Sequence, residues 1–481
     1  TSSQLGRGLP LRDAEGKSVD RAAWAGYNHA LGHTGSKSRV TERTFSLLKG
    51  PLVGDALRTT AWSTAGKGVG FLVPFFIAAW FGMSGKTDAF FFAYALILFA
   101  SGIFAPVVER VIVPYIAEAR AKGKDVGRFV GSVLACSGIG LVAVSGLFVL
   151  ATRPILSVAT PFDEETSRLV HQLVLESCPL IVLLVWTSVL SGALNSYKRF
   201  AFPAVSPAFR AVVNLGVIFA LKDTYGVHSI AIGYVAGEVV RLAVLFVVVM
   251  KSGLFMPRLS LRLDRKLWDF FGSASFQVVA MVALSLSPLV DRSMAAWLGE
   301  GSVSVLHYAS RLYIIPVNFL ATGVMVALLS HWSERYVEHG LERLRQDVKK
   351  TVVVVAALGL LVSALLILFH GPIVRLAFGR GEFALEKLNE IGWVWVCYML
   401  GLALTMVARV LMQLHITVKN TRTLMRCALF LLVINVALNY TLMKFMGVAG
   451  IALATSICHI FAVVYMGIAF RRIAVRERAD D

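Results

Sequence analysis

The chain has 481 residues, of which 57% are hydrophobic and only 16% charged, with a mean hydropathy of +0.71. Water-soluble domains carry about a quarter of their residues as charges, so this composition excludes a set of soluble domains and points to an all-α polytopic membrane protein. The net charge of +18 then reports basic loops beside anionic lipid rather than nucleic-acid binding. The five cysteines, Cys136, Cys178, Cys397, Cys427 and Cys458, are odd in number, lie in apolar runs and lack paired spacing, which indicates neither disulfides nor a zinc site.

Residues 1–56 are polar, glycine-dotted and without sustained periodicity, and read as a cytoplasmic tail. Twelve runs long enough to cross a bilayer follow, at about 57–81, 88–117, 127–151, 168–196, 200–221, 227–250, 267–298, 302–332, 348–370, 390–415, 421–443 and 447–470. Lipid cannot satisfy open strand edges, so helix is the state open to them. One set of loops is rich in positive charge, including Arg120, Lys122, Lys124 and Arg128, then Lys251, Arg258, Arg262, Arg265 and Lys266, then Arg335, Arg343, Arg345, Lys349 and Lys350. The alternate loops are poorer; one carries only Glu300. The positive-inside rule therefore places both termini in the cytoplasm, which an even number of spans satisfies.

The chain divides accordingly into the tail, a first lobe at 57–251 with spans one to six, a cytoplasmic linker at 252–266, a second lobe at 267–470 with spans seven to twelve, and a short cytoplasmic tail at 471–481. Residues 80–123 lie without gaps on residues 297–340, with Trp80, Gly82 and Gly123 falling on Trp297, Gly299 and Gly340. Six spans separate the copies, so the two six-helix lobes share one orientation and are related by an axis along the membrane normal. A site between them is expected.

Charges buried in the spans carry the functional reading. At about 1.5 Å per residue, Lys67 in the first span, Arg210 in the fifth and Arg311 in the eighth fall near mid-membrane. An unpartnered guanidinium there costs between ~3 and more than 10 kcal/mol. Neutralisation by an acid such as Glu176 or Asp291, or snorkelling, is one resolution. Three cations at one depth across two lobes imply the other: a wet, positive cavity suited to a phosphate or pyrophosphate group. Glu176, Glu238, Arg241, Asp291, Arg292 and Arg409 form a secondary set. Within it Glu238 and Arg241, spaced i, i+3, are expected to pair with each other, and Arg409, like Glu109 and Arg110, to snorkel from a cytoplasmic end. His171 and His307 read as packing residues. The polar loops hold no Ser-His-Asp pattern, HExxH, Walker loop or pair of catalytic carboxylates, so the expectation is a transporter rather than an enzyme. Prolines inside the spans, among them Pro74, Pro106, Pro288 and Pro316, permit the bending that alternating access uses.

Several stretches resemble the MurJ/MviN family of lipid-linked cell-wall precursor flippases, within the multidrug/oligosaccharidyl-lipid/polysaccharide (MOP) exporter superfamily. They are TDAFFFAY from Thr87, SGALNSYKRFAFPAVSP from Ser191 with Asn214 following, GSVSVLHYASRLYIIP from Gly301, GPIVRLAFGRGEF from Gly371, NTRT from Asn420 and GVAGIALATS from Gly447. The resemblance implies a two-lobed, V-shaped transporter in the bacterial inner membrane that moves an undecaprenyl-pyrophosphate-linked saccharide to the outer leaflet. It puts Lys67 in the place of a first-span arginine and Arg311 in that of the eighth-span arginine that takes the pyrophosphate.

Departures from the family pattern accompany the likeness. The family's Arg-Asp pair later in the first span falls on Val73 and Pro74, its second-span arginine near Ala100 or Ser101, and the acid before the eighth-span arginine on Ser310. The two further C-terminal helices of typical lipid II flippases have no counterpart after the twelfth span. Lipid II and a related glycan, such as an exopolysaccharide or O-antigen unit, both stay open as cargo. The family's second-lobe cation site falls on Asn435, Asn439 and Thr455, with a neutral amide where the family has an acid. No cofactor is expected. Coupling would be to a monovalent cation or to the membrane potential, which supplies about 2.3 kcal/mol per charge per 100 mV. The expected partners are the glycolipid, membrane lipids and cell-envelope synthesis proteins. Two other readings compete: a cation-coupled multidrug exporter, which calls for an acid-rich cavity, and a non-transporting membrane scaffold.

Overall fold

The computed structural model describes residues 68–480 apart from 259, 262–264, 380–384 and 419, and within its helices the side chains of some further residues, chiefly 321–331 and 333–343, fall outside the description. The tail at 1–56 and Lys67 are therefore outside the described residues. Residues Thr59–Asp481 form one compact unit, which contains everything described.

Every element among the described residues is helical. In chain order they are α1 (Gly68–Phe81), α2 (Gly85–Ala121), α3 (Val126–Ala159), α4 (Glu164–Ser177), α5 (Pro179–Ser196), α6 (Ala201–Tyr225), α7 (His228–Lys251), α8 (Arg265–Ala296), α9 (Ser302–Leu368), α10 (His370–Phe378), α11 (Leu385–Leu400), α12 (Leu402–Thr417), α13 (Thr421–Met446) and α14 (Val448–Asp480). Among the described residues, eight helices or joined helices are long and apolar enough to cross a membrane, and Lys387–Leu400 with Leu402–Thr417, bent by 42° at Gly401, is a ninth if taken as one span. α1, α8 and the leading part of α9 supply the remaining three of the twelve expected spans. α8 carries Asp269, Asp291 and Arg292, a polarity that suits a helix lining a protein interior rather than one facing lipid. Elsewhere large apolar side chains such as Leu150, Val158, Leu376 and Phe445 lie exposed on the helix faces, as a lipid solvent allows and water does not.

The two halves repeat one packing plan. α6 packs along α7 as α13 packs along α14, α2 along α5 as α9 along α12, and α5 along α7 as α12 along α14. The turns repeat too. Gly82 and Gly299 both have positive φ (61° and 99°), as do Gly226 and Gly447 (52° and 57°) where α6 meets α7 and α13 meets α14; these are backbone conformations that glycine adopts without the Cβ penalty.

One expectation changes. The stretch from Glu334 to Lys350, read as a loop between the eighth and ninth spans, is helical, and the backbone is α-helical without interruption from Ser302 to Leu368. In the first half the matching position breaks at Gly123, whose φ is +62°, whereas Gly340 stays helical. Charge pattern marks this segment as polar, but Glu, Leu, Arg and Lys are all good helix formers, so polarity alone does not end a helix.

Candidate functional site

A basic cavity lies where α2, α8 and α9 meet. It has a volume of about 440 Å³ and is lined by Ala95, Leu98 and Phe99 of α2, Ser285, Pro288, Leu289 and Arg292 of α8, and Ser310, Arg311, Tyr313 and Ile314 of α9. Two guanidiniums share it, and no carboxylate lines it. Arg292 spends one Nη1 donor on the Pro288 carbonyl, 3.0 Å away and one turn back. The Nε atoms of both Arg292 and Arg311 are buried with no partner among the described residues. The acids that sequence offered as neutralisers are engaged elsewhere: Asp291 accepts from Asn439 at 2.7 Å, and Glu176 pairs with His228 at 2.7 Å. Ser310, which stands where the family has an acid, turns its hydroxyl onto the His307 carbonyl. The His307 ring stacks on Phe91 with centroids 3.9 Å apart, a packing role.

Arg210 is arranged differently. Glu238 of α7, fully buried, accepts from Arg210 of α6 at 3.3 Å and from Arg241 of its own helix at 3.1 Å. Arg241 also donates through Nε to the Ser206 hydroxyl, at 3.1 Å. The expected i, i+3 pair is present, but it recruits Arg210, which corrects the expectation of an unpaired cation at that position. One carboxylate between two guanidiniums leaves a single net positive charge in a hydrogen-bonded triad.

A third cluster joins α8 to α13. Asn439 Nδ2 donates to Asp291 and, more weakly at 3.4 Å, to Asn435 Oδ1, which also accepts from the Ser287 hydroxyl at 3.2 Å. Asn439 Oδ1 is buried with no partner among the described residues. Asp291, grouped by sequence with the cavity cations, thus belongs with the two asparagines and restores a carboxylate to a cluster that is neutral on α13 itself. Thr455 bonds to the Ile451 carbonyl of its own helix. Arg409 of α12 makes no ion pair among the described residues. The Tyr313 and Thr405 hydroxyls, one turn before it, are 2.6 Å apart.

Sequence reading missed the closure at the end of the bundle that carries the charge-poor loops. Gly301, the N-cap of α9, has no side chain to cap that helix; the carboxylate of Asp88 from α2 does so instead. It accepts from Gly301 N–H at 2.6 Å, from Ser304 N–H at 2.7 Å and from the Ser304 hydroxyl. Reciprocally, Glu300 Oε1 accepts from Gly85 N–H, the first residue of α2, at 2.6 Å. The Tyr308 hydroxyl adds a bond to the Gly82 carbonyl at 3.1 Å. Each half therefore satisfies first-turn N–H groups of a helix in the other. Ser293 and Trp297 of the α8 end both donate to the Ala159 carbonyl at the end of α3, extending the same seam. The one available signal was a carboxylate, Asp88, in the first turn of an otherwise apolar run.

Beyond this seam lies a basin of about 1200 Å³, lined among others by Lys86, Asp163, Glu164, Glu165, Arg168, Trp297 and Glu300. Hydrogen bonds from Thr166 hold the Asp163 carboxyl below its usual range, so this rim stays anionic at neutral pH. This basin is thus acidic and lies outside the seam, while the cavity of Arg292 and Arg311 lies behind it.

Residues 77–478 match the family model described as lipid II flippase MurJ. Among curated relatives, the probable lipid II flippase MurJ of Thermotoga maritima is 26% identical over 401 residues, covering 82% of this chain and 81% of its own. Among solved structures, a lipid II flippase MurJ in an inward closed conformation superposes with a TM-score of 0.74 at 23% identity, covering 86% of this chain and 87% of its own. An inward-facing multidrug resistance MATE family transporter of the MOP superfamily superposes with a TM-score of 0.72 at 15% identity, covering 86% and 96%.

Proposed function

The chain belongs to the lipid II flippase MurJ family, and from that membership we propose that it carries an undecaprenyl-pyrophosphate-linked saccharide, lipid II or a related glycan precursor, across the bacterial inner membrane by alternating access. The observation that carries this reading is the sharing of one apolar-walled cavity by Arg292 and Arg311 with no carboxylate among its lining residues. Guanidinium forks match phosphate oxygens in pairs, and a low-dielectric wall makes such bonds stronger than in water. Arg292 and Arg311 hold the pyrophosphate; the same role for Lys67, which lies outside the described residues, rests on the family resemblance alone. The lipid tail stays in the bilayer while the head moves.

The Asp88 and Glu300 caps close the outer side in this state, on the assignment of both termini to the cytoplasm. Release of the head outward requires them to part. In the second half, Asp291, Asn435 and Asn439 offer hard oxygen donors, one of them an unpartnered buried carbonyl, a set that fits a monovalent cation better than a soft metal. Such a cation would supply positive charge against Asp291. A cation-coupled drug exporter, the competing reading, calls for acids where this cavity holds arginines.

The test is glycolipid translocation in proteoliposomes. Removal of both Arg292 and Arg311 is expected to abolish it while leaving the fold intact, and unchanged rates in that double variant would sink the proposal.

A further inference from the structure

A second basic cavity lies at the opposite end of the bundle from the capped seam, where the lysine- and arginine-rich loops gather. Its volume is about 580 Å³, and its lining includes Arg120 in the last turn of α2, Lys124 after that helix, Tyr197 after α5, and Phe255 and Arg258 of the segment that joins the two halves. Four features show it to be built. The Arg120 guanidinium sits 4.2 Å above the Tyr197 ring and donates to the Ser196 carbonyl at 3.1 Å, which fixes the cation in place. The Tyr197 ring in turn stacks on Phe255 with centroids 5.8 Å apart. The joining segment is pinned to α3, with Arg258 N–H donating to the Gly127 carbonyl at 3.1 Å. It lies so close that a Cβ at Gly127 would stand 2.1 Å from the Met256 carbonyl oxygen and one at Gly131 would stand 2.0 Å from that of Arg258.

The charge there is in surplus. Asp125, the one acid in the lining, caps α3 through the Arg128 N–H at 3.0 Å and lies 3.9 Å from Arg258. Lys124 makes no ion pair among the described residues. Close by along the chain, Met256, Leu261 and Trp268 are exposed, an apolar and aromatic fringe of the kind that sits at a lipid interface. A cationic pocket floored by aromatic rings and fringed by membrane-seeking side chains matches an anionic headgroup with its glycerol backbone and tails alongside.

We propose that Arg120, Lys124 and Arg258 form a binding site for the headgroup of an anionic phospholipid, which clamps the joining segment against α3. The site is separate from the Arg292–Arg311 cavity and independent of what that cavity transports. Native mass spectrometry of the full chain in detergent with phosphatidylglycerol tests it. Wild type is expected to retain a phosphatidylglycerol adduct, and Arg120→Gln with Lys124→Gln to weaken it by roughly 10- to 30-fold. Lys222→Gln with Lys444→Gln, which removes the same charge at the other end, is expected to leave the adduct unchanged. Phosphatidylcholine should not replace it, and millimolar inorganic phosphate should not displace it. Equal retention by the Arg120/Lys124 variant, or of phosphatidylcholine, overturns the proposal. Displacement by inorganic phosphate overturns the lipid assignment in favour of a free phosphoanion site, and an equal loss in the Lys222/Lys444 variant reduces it to net charge.

Discussion

The two halves share a packing plan but treat their buried arginines in opposite ways. In the first, Arg210 and Arg241 converge on Glu238, and both cations are held to one carboxylate in a hydrogen-bonded triad. In the second, Arg292 and Arg311 share a cavity while the nearest acid in sequence, Asp291, faces α13 and bonds Asn439. A doubled scaffold has thus been divided into a half whose polar interior holds itself together and a half whose polar interior is available to a ligand. Fold and turn geometry are common to both; what distinguishes the second half is where its carboxylates point.

The largest expected effect comes from emptying the available half. Each guanidinium bonded to a phosphate is worth about 1.5–3 kcal/mol, so Arg311→Ala and Arg292→Ala should each cost roughly 10- to 100-fold in translocation rate in proteoliposomes at subsaturating glycolipid. Equal and large losses from Arg210→Gln would erase the contrast. The self-contained half should instead fail in stability. Glu238→Gln leaves two buried cations without their counter-charge and is expected to destabilise by about 3–5 kcal/mol, read as a lower unfolding temperature in detergent. Adding Arg210→Gln to it should recover part of that loss, since fewer unpaired charges remain.

At the seam between the halves, Asp88→Asn keeps the shape but turns one of two accepting oxygens into an amide N–H donor that faces another donor. An expected loss of about 1–2 kcal/mol should raise the labelling rate of cysteines placed behind the seam, at Ser310 for instance, by roughly tenfold, with Glu300→Gln giving a smaller rise. The smallest effect is expected at the α8–α13 cluster: Asp291→Asn should remove any dependence of translocation on monovalent cation while changing the rate in its absence little.

Much of the architecture was legible because membrane insertion is itself a composition rule. Run lengths marked the spans, and Trp80 on Trp297 with Gly82 on Gly299 marked the repeat. Arg311 was legible as well, since a guanidinium in an apolar run is costly wherever it points. Its partnering was not legible. Whether Arg210 meets Glu238, 28 residues on, or stands alone depends on how α6 and α7 face each other, and periodicity on one helix does not fix that. Arg292 sits beside Asp291 in sequence, yet their side chains diverge to α9 and α13. Asp88 and Gly301 are more than 200 residues apart, and a cap supplied from another helix leaves no local pattern at the helix it serves.

The exchange of end groups between α2 and α9 ties any parting of the seam to two contacts at once. If the seam parts, Asp88 and Glu300 withdraw together: α9, whose N-cap is a glycine, loses the carboxylate that caps it, while α2 loses the acceptor of Gly85 N–H and keeps its own Ser84–Thr87 capping box. The chain is built there as a latch with two unequal bolts drawn by one handle, and it is the second half that depends on the first to close its helix.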